Sequence, residues 1–98
     1  MLNVVQNAIE AMPEGGTLRL ECTRTATEVH VCIRDSGIGI PAEHLPRIFE
    51  PLYTTKPGGT GLGLYIMREI LVAHGGRVAV ESVEGQGTAF ILMFPVLG

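Results

Sequence analysis

The stretch Val29-His30-Val31-Cys32-Ile33-Arg34-Asp35-Ser36-Gly37-Ile38-Gly39-Ile40-Pro41 decides the fold, because its periodicity changes part-way along. Val29, Val31 and Ile33 alternate with His30, Cys32 and Arg34, the repeat of a half-buried strand. From Asp35 onward the alternation gives way to a turn containing Gly37, Gly39 and Pro41. Upstream, Thr17 to Arg24 also alternates, with Leu18, Leu20 and Cys22 on one face and Arg19, Glu21 and Thr23 on the other. The polar turn at Thr25 to Thr27 then makes the two strands a hairpin. Earlier still, Leu2 to Met12 has helical periodicity: Leu2, Val5, Ile9 and Met12 form one side, flanked by Val4, Ala8 and Ala11. A narrow polar stripe of Asn3, Asn7 and Glu10 remains, and Pro13 with Gly15-Gly16 ends the helix.

Downstream, Pro41 to Thr60 contains four prolines and has room for one short helical turn around Ala42 to Ile48. A loop of this length in a small domain is usually functional. Leu62, Ile66, Ile70 and Ala73 recur at helical spacing beside Met67 and Leu71, which predicts a helix from about Gly61 to His74, stopped by Gly75-Gly76. Arg77 to Ser82 and Thr88 to Pro95 each alternate, and Glu84-Gly85-Gln86-Gly87 between them is a hairpin turn. Helix, two strands, loop, helix, two strands describes a two-layer α/β (α+β) sandwich.

The chain has 98 residues, which allows a single domain, and it is 46% apolar and 17% charged. With a mean hydropathy of +0.32 it is richer in apolar side chains than a self-sufficient small domain requires, and reads as part of a larger one. Seven basic against ten acidic residues give a net charge of −3 with no Lys/Arg run, so there is no electrostatic footprint for nucleic acid. No apolar stretch approaches the roughly 20 residues of a membrane span, and no signal core follows the N-terminus. Cys22 and Cys32 read as two reduced thiols, which predicts a cytoplasmic location.

Gly58-Gly59-Thr60-Gly61-Leu62-Gly63 places four glycines where a helix begins. Each glycine inside a helix costs about 1 kcal/mol relative to alanine, so something other than helix stability requires them. A backbone without Cβ atoms at a helix N-terminus can approach a polyphosphate and present several N–H donors, whereas a flexible hinge is the bland alternative. Two familiar phosphate loops fail. Leu64-Tyr65 stands where a Walker A loop has Lys-Ser/Thr, and Leu64 and Ala42 occupy the third glycine position of a dinucleotide fingerprint.

Taken together, Asn3 to Ala8, Asp35 to Pro41, Phe49 to Thr55 and Gly59 to Leu64 resemble, in order, the N box, first glycine box, F box and second glycine box of sensor histidine kinases. Gly85-x-Gly87-Thr88-x-Phe90 through Phe94-Pro95 resembles the closing strand pair of that family's ATP-binding domain, which is grouped with DNA gyrase, a heat-shock chaperone and MutL. The resemblance implies a mixed, largely antiparallel sheet packed on helices under a long ATP lid. It covers residues 1–98 as one partial domain, because family members carry some tens of residues before the N box. The chain is therefore read as a truncated form, a fragment, or one completed by a partner.

Residue by residue, the resemblance implies ATP and Mg as ligands. Asn7 matches the magnesium ligand, and an amide oxygen suits a cation that shares its shell with phosphates. Asn3 would line the same pocket. Asp35 matches the acceptor for the adenine amino group, and an acceptor-only carboxylate discriminates against guanine. Gly37, Gly39 and Ile40 follow it in the first glycine box, while Gly59, Thr60, Gly61, Leu62, Gly63 and Leu64 form the second. Lys56 is placed to approach phosphates, with a solvated loop lysine as the bland alternative; Arg47 and Arg68 are weaker candidates. Thr88 would sit near the base, or is an ordinary strand threonine. Phe49 and Tyr53 are lid anchors or packing residues.

His30, His44 and His74 are followed by Val31, Leu45 and Gly75 rather than by the acidic neighbour of a family phosphoacceptor, so they read as structural or surface residues. They form no cluster at zinc-ligand spacing. The expected function is to bind Mg-ATP and donate its γ-phosphoryl group to a histidine on a separate helical phosphoacceptor domain, and so indirectly to a response regulator. The segment itself would contact neither membrane nor nucleic acid, whether or not it is the cytoplasmic part of a membrane-anchored sensor. An ATP-hydrolysing clamp is disfavoured because Asn3 occupies the position where hydrolysing relatives have a glutamate base, and an amide cannot take that proton. A non-enzymatic nucleotide-sensing module stays open.

Overall fold

The computed structural model describes residues 7–51, 53 and 63–96. Helix α1 is described over residues 7–10; it is followed by strands β1 (Leu18–Arg24) and β2 (Glu28–Asp35), a 3-10 turn at Leu45–Arg47, helix α2 (Gly63–Ala73), and strands β3 (Arg77–Val83) and β4 (Gly87–Pro95). Each strand lies within a residue or so of its expected span. The strands form one sheet in the order β1-β2-β4-β3, and all three pairings are antiparallel. Both hairpins form as expected, whereas the central β2–β4 pairing joins the two halves of the chain.

Register turns the alternation of each strand into rows across the sheet. Leu20, Ile33, Phe90 and Val80 make one row, and Cys22, Val31, Leu92 and Val78 the next. Their shared face carries the core, in which Ile33, Phe90 and Leu92 are buried with Met67 and Leu71 of α2 and Ile48 of the loop. The row that closes this face is apolar only at Leu18 and continues with Asp35, Thr88 and Ser82.

The helices meet this face differently from the expectation. Among the described residues of α1, Ala8 is buried, while Ile9 is 59% exposed. The helix approaches through its small residues, so Ala11 reaches the turn after β2, and a larger flank would hold it off. In α2, Met67 and Leu71 are buried, and Ile66 and Ile70 are 45% and 56% exposed. The apolar stripe of α2 is wider than the arc the sheet covers, so its centre by periodicity is not the centre of burial. The helix ends as expected in a Schellman arrangement: Gly76 N–H donates to Leu71 O at 2.8 Å and Gly75 N–H to Val72 O at 3.0 Å.

The helical turn expected around Ala42 to Ile48 is a succession of three-residue turns, with N–H donors of His44, Arg47 and Glu50 bonded to the carbonyls of Pro41, His44 and Arg47. Pro46 supplies no N–H, which prevents these turns from merging into an α-helix. Among the described residues no helix is long and apolar enough to cross a membrane.

Ile33 is 1% exposed at the centre of the sheet. Ile33→Ala is expected to destabilise the fold by about 2–5 kcal/mol and Ile9→Ala by less than about 0.5 kcal/mol, read from urea unfolding midpoints. Comparable losses would contradict this placement of α1.

Candidate nucleotide site

Three strands each end their core-facing phase on a polar residue. Asp35 follows Val29, Val31 and Ile33, Thr88 precedes Phe90, Leu92 and Phe94, and Ser82 follows Val78 and Val80. The register brings all three side by side. Asp35 and Thr88 are buried, at 7% and 6% exposure, so water cannot satisfy them freely and the protein must. The Asp35 carboxylate accepts from Gly37 N–H at 2.8 Å. A carboxylate offers about four lone-pair positions, and this bond takes one of them.

Ser82 is the joint of the row. Its hydroxyl donates to Gly87 O at 2.9 Å, accepts from Ile40 N–H at 2.8 Å, and lies 2.8 Å from Thr88 Oγ1. The sequence reading passed over it. The available signal was its phase, since a serine in line with Val78 and Val80 points to the core and needs partners.

The loop 36–40 is clipped on both sides. Ile38 N–H donates to Ala11 O at 3.1 Å, and Gly85 N–H donates to Ile38 O at 2.6 Å. Thr17 and Ser36 exchange two bonds, Ser36 N–H to Thr17 O at 3.1 Å and Thr17 N–H to Ser36 Oγ at 2.8 Å, so the serine side chain extends the β1–β2 ladder by one step. The glycines in this loop allow close approach of chain to chain. A Cβ at Gly37 would lie 2.5 Å from Ala11 O, and one at Gly39, whose φ is +73°, would lie 2.3 Å from Val83 O. Backbone packing explains both, without a ligand.

Of the other candidates, Asn7 is half-buried on α1, one turn before Ala11, whose N–H donates to Asn7 O at 3.0 Å. The clip between Ala11 and Ile38 thus ties its helix to the loop that follows Asp35. Gly63 opens α2 as described, and Leu64 packs against the core from its first turn. Asn3, Lys56, Gly59, Thr60, Gly61 and Leu62 lie outside the described residues. Arg47 and Arg68 sit over aromatic rings, 4.7 Å from the centre of Tyr53 and 5.8 Å from that of Phe49. Phe49 in turn meets Phe90 edge to face, so it is anchored to the core. It also lines, with Pro46, Pro51, Tyr65, Arg68 and Val78, an open cleft of about 440 Å³ between the 41–51 loop and α2.

The histidines are engaged locally. His74 Nδ1 lies 2.8 Å from Ile70 O at the end of α2, and His44 meets Tyr53 edge to face. His30 Nε2 lies 3.0 Å from Glu28, which also accepts two bonds from Arg77. Arg77 first, and His30 second, hold the Glu28 carboxyl below its ordinary value of 4.5. Among the described residues no group of His, Cys, Asp and Glu is arranged to hold a metal ion by itself.

The sequence pattern of the family described as histidine kinase-, DNA gyrase B-, and HSP90-like ATPase matches residues 1–98. The chain belongs to that family. It is 41% identical to sporulation kinase C of Bacillus subtilis over 95 residues, covering 97% of this chain and 22% of that protein. It is 42% identical to the sensor histidine kinase ZraS of Salmonella typhimurium over 98 residues, covering 99% of this chain and 21% of that protein. The chain thus spans about a fifth of the length of these curated relatives. Among solved structures, the catalytic domain of histidine kinase ThkA superposes with a TM-score of 0.84 at 44% identity, covering 96% of this chain and 63% of that one. Full-length ShkA in complex with AMPPNP superposes with a TM-score of 0.86 at 34% identity, covering 96% of this chain and 20% of that one. The α/β fold expected from the sequence is the fold of these catalytic domains.

Gly85 separates the two demands on a glycine in this family loop, because its φ is +85° but a Cβ there would meet nothing within 4 Å. Gly85→Ala is expected to cost about 1–2 kcal/mol from backbone conformation alone. Gly39→Ala carries that cost plus the collision with Val83 O, and its melting temperature falls further. Equal melting temperatures for the two variants would remove the close-packing role of Gly39.

Proposed function

We propose that residues 1–98 form the ATP-binding part of a sensor histidine kinase catalytic domain, which transfers a phosphoryl group to a histidine on a separate helical domain. The observation that carries this reading is the buried pair of Asp35 and Thr88, aligned in register at the edge of the apolar face. Asp35 keeps lone pairs beyond the bond to Gly37, and the exocyclic amino group of adenine is the donor that suits them. Guanine would set its oxygen against the carboxylate. The named relatives are a sporulation kinase and a sensor histidine kinase, and one solved neighbour is a complex with AMPPNP, which supports the same ligand class.

Bound Mg-ATP supplies the γ-phosphoryl group, and the chain positions it. Asp35 and Thr88 fix the base, with Gly37, Gly39 and Ile40 forming the turn behind it. Asn7, together with Asn3, would hold Mg²⁺ through an amide oxygen, and the cation would offset the charge of the phosphates. Gly59, Thr60, Gly61 and Leu62, with Gly63 and Leu64 at the start of α2, would offer backbone donors to the phosphates, and Lys56 would offer a positive charge. Catalysis is then positioning and electrostatics rather than covalent chemistry by the chain. The partners are the phosphoacceptor domain and, through it, a response regulator, on the cytoplasmic side of the cell.

Asp35→Asn is expected to weaken ATP binding by about 10- to 100-fold, the worth of a hydrogen bond to a buried charge, and to abolish the preference over GTP. Isothermal titration with both nucleotides checks this, and unchanged selectivity would remove Asp35 from the base site.

With γ-labelled ATP and Mg²⁺, the chain alone is expected to leave its own histidines unlabelled and to release no steady phosphate. Label should appear on an added helical histidine domain from a matched kinase, and Asn7→Ala should reduce that transfer at least tenfold. Stable label on His30, His44 or His74 would contradict the assignment, as would steady hydrolysis.

A further inference from the structure

Ser82 has one hydroxyl proton. Gly87 O, 2.9 Å away, is a carbonyl and can only accept, so that proton is committed to it. Ile40 N–H, 2.8 Å away, can only donate, and takes one Ser82 lone pair. The remaining short contact, 2.8 Å to Thr88 Oγ1, therefore has Thr88 as donor and the second Ser82 lone pair as acceptor. This arrangement serves all three contacts and fills the hydroxyl completely. Thr88, its only proton turned toward Ser82, then presents lone pairs alone on its other sides.

We infer that Ser82 is a specificity-positioning residue: by holding the Thr88 proton away from the base, it makes Thr88 an obligate acceptor beside Asp35. The inference rests on the ATP reading above. Two acceptors side by side favour a base with an amino group at that edge, and repel one with a carbonyl oxygen. Without Ser82, the Thr88 hydroxyl is free to rotate and donate to such an oxygen, which relieves the penalty against guanine. Ser82 touches no substrate in this account, and its influence passes through Thr88. The bond to Ile40 N–H adds a tie between β3 and the loop after Asp35, so the same hydroxyl also fixes where that loop runs.

The test is the ratio of ATP to GTP affinity, because a purely structural loss lowers both affinities together and leaves their ratio alone. Isothermal titrations would compare the unaltered protein with Ser82→Ala, Ser82→Thr, Thr88→Val and the Ser82→Ala/Thr88→Val double variant. Ser82→Ala is expected to lower the ratio about tenfold, as one misdirected hydrogen bond should, while Ser82→Thr keeps the hydroxyl and restores the ratio. In the Thr88→Val background, Ser82→Ala should change the ratio no further, since no hydroxyl is left to release. Ser82→Cys, similar in volume but a weak acceptor, replaces the alanine variant if that variant does not fold, and the same tenfold loss is expected. A wild-type ratio in Ser82→Ala, or in Ser82→Cys where it stands in, would overturn the inference while leaving the ATP reading intact. So would an effect of Ser82→Ala that persists in the Thr88→Val background. Failure of the unaltered protein to bind ATP would overturn both.

Discussion

A carboxylate taken out of water has to be held by the protein, and the arrangement around Asp35 follows from that requirement. Its side chain lies in the apolar phase of β2, one step beyond Ile33. Left there alone it would be costly. Gly37 N–H meets it directly, and Thr88 lies across from it in register. Each of these groups depends on another. Gly37 occupies its place because the end of α1 comes close enough to leave no room for a side chain. Thr88 Oγ1 lies 2.8 Å from the Ser82 hydroxyl, whose other partners are Gly87 O and Ile40 N–H. The apolar face ends in a chain of satisfied polar groups, and that chain joins three strands, one helix end and one hairpin turn.

The β2–β4 pairing makes this possible. Each hairpin is local, and either could form from its own turn, but a lone hairpin is marginal in water. Joining them through β2 and β4 buries Ile33, Phe90 and Leu92 together, and the same register that aligns these residues aligns Asp35 with Thr88. A one-residue slip would send the apolar set to the other face and separate the polar row. Core and site therefore share one register. The opposite face has its own tie, because Arg77 at the start of β3 bonds Glu28 at the start of β2 across β4.

The strands, the hairpins and the end of α2 were legible because each rests on a local signal: two-residue alternation, a turn sequence, or a glycine pair. The order β1-β2-β4-β3 was not, since no local feature states which strands pair across the loop and helix between them. The burial of the helices was only partly legible. Periodicity identifies an apolar stripe, but the part that is covered depends on where the sheet lies, which is why Ala8 is buried and Ile9 is not, and Met67 rather than Ile66. Asp35 and Thr88 were singled out as candidates through the motifs they stand in. Ser82 was missed because a serine in a strand carries no motif, and its role emerges only when register sets it beside Thr88.

The glycines separate what a motif marks from what it does. Read in sequence, Gly37 and Gly39 belong to a stretch that resembles the first glycine box of a nucleotide-binding family. In the fold, a Cβ at either position would strike main chain of this protein: Ala11 at one, Val83 at the other. A Cβ at Gly87 would strike Asp35 O in the same way. These three glycines draw α1, the β3–β4 turn and β4 against the end of β2. They build the wall in which Asp35 and Thr88 are set. A substitution there would damage binding by displacing that wall, whatever ligand stood before it. On the ATP reading proposed above, discrimination among ligands would fall to the polar residues, which have protons and lone pairs to place.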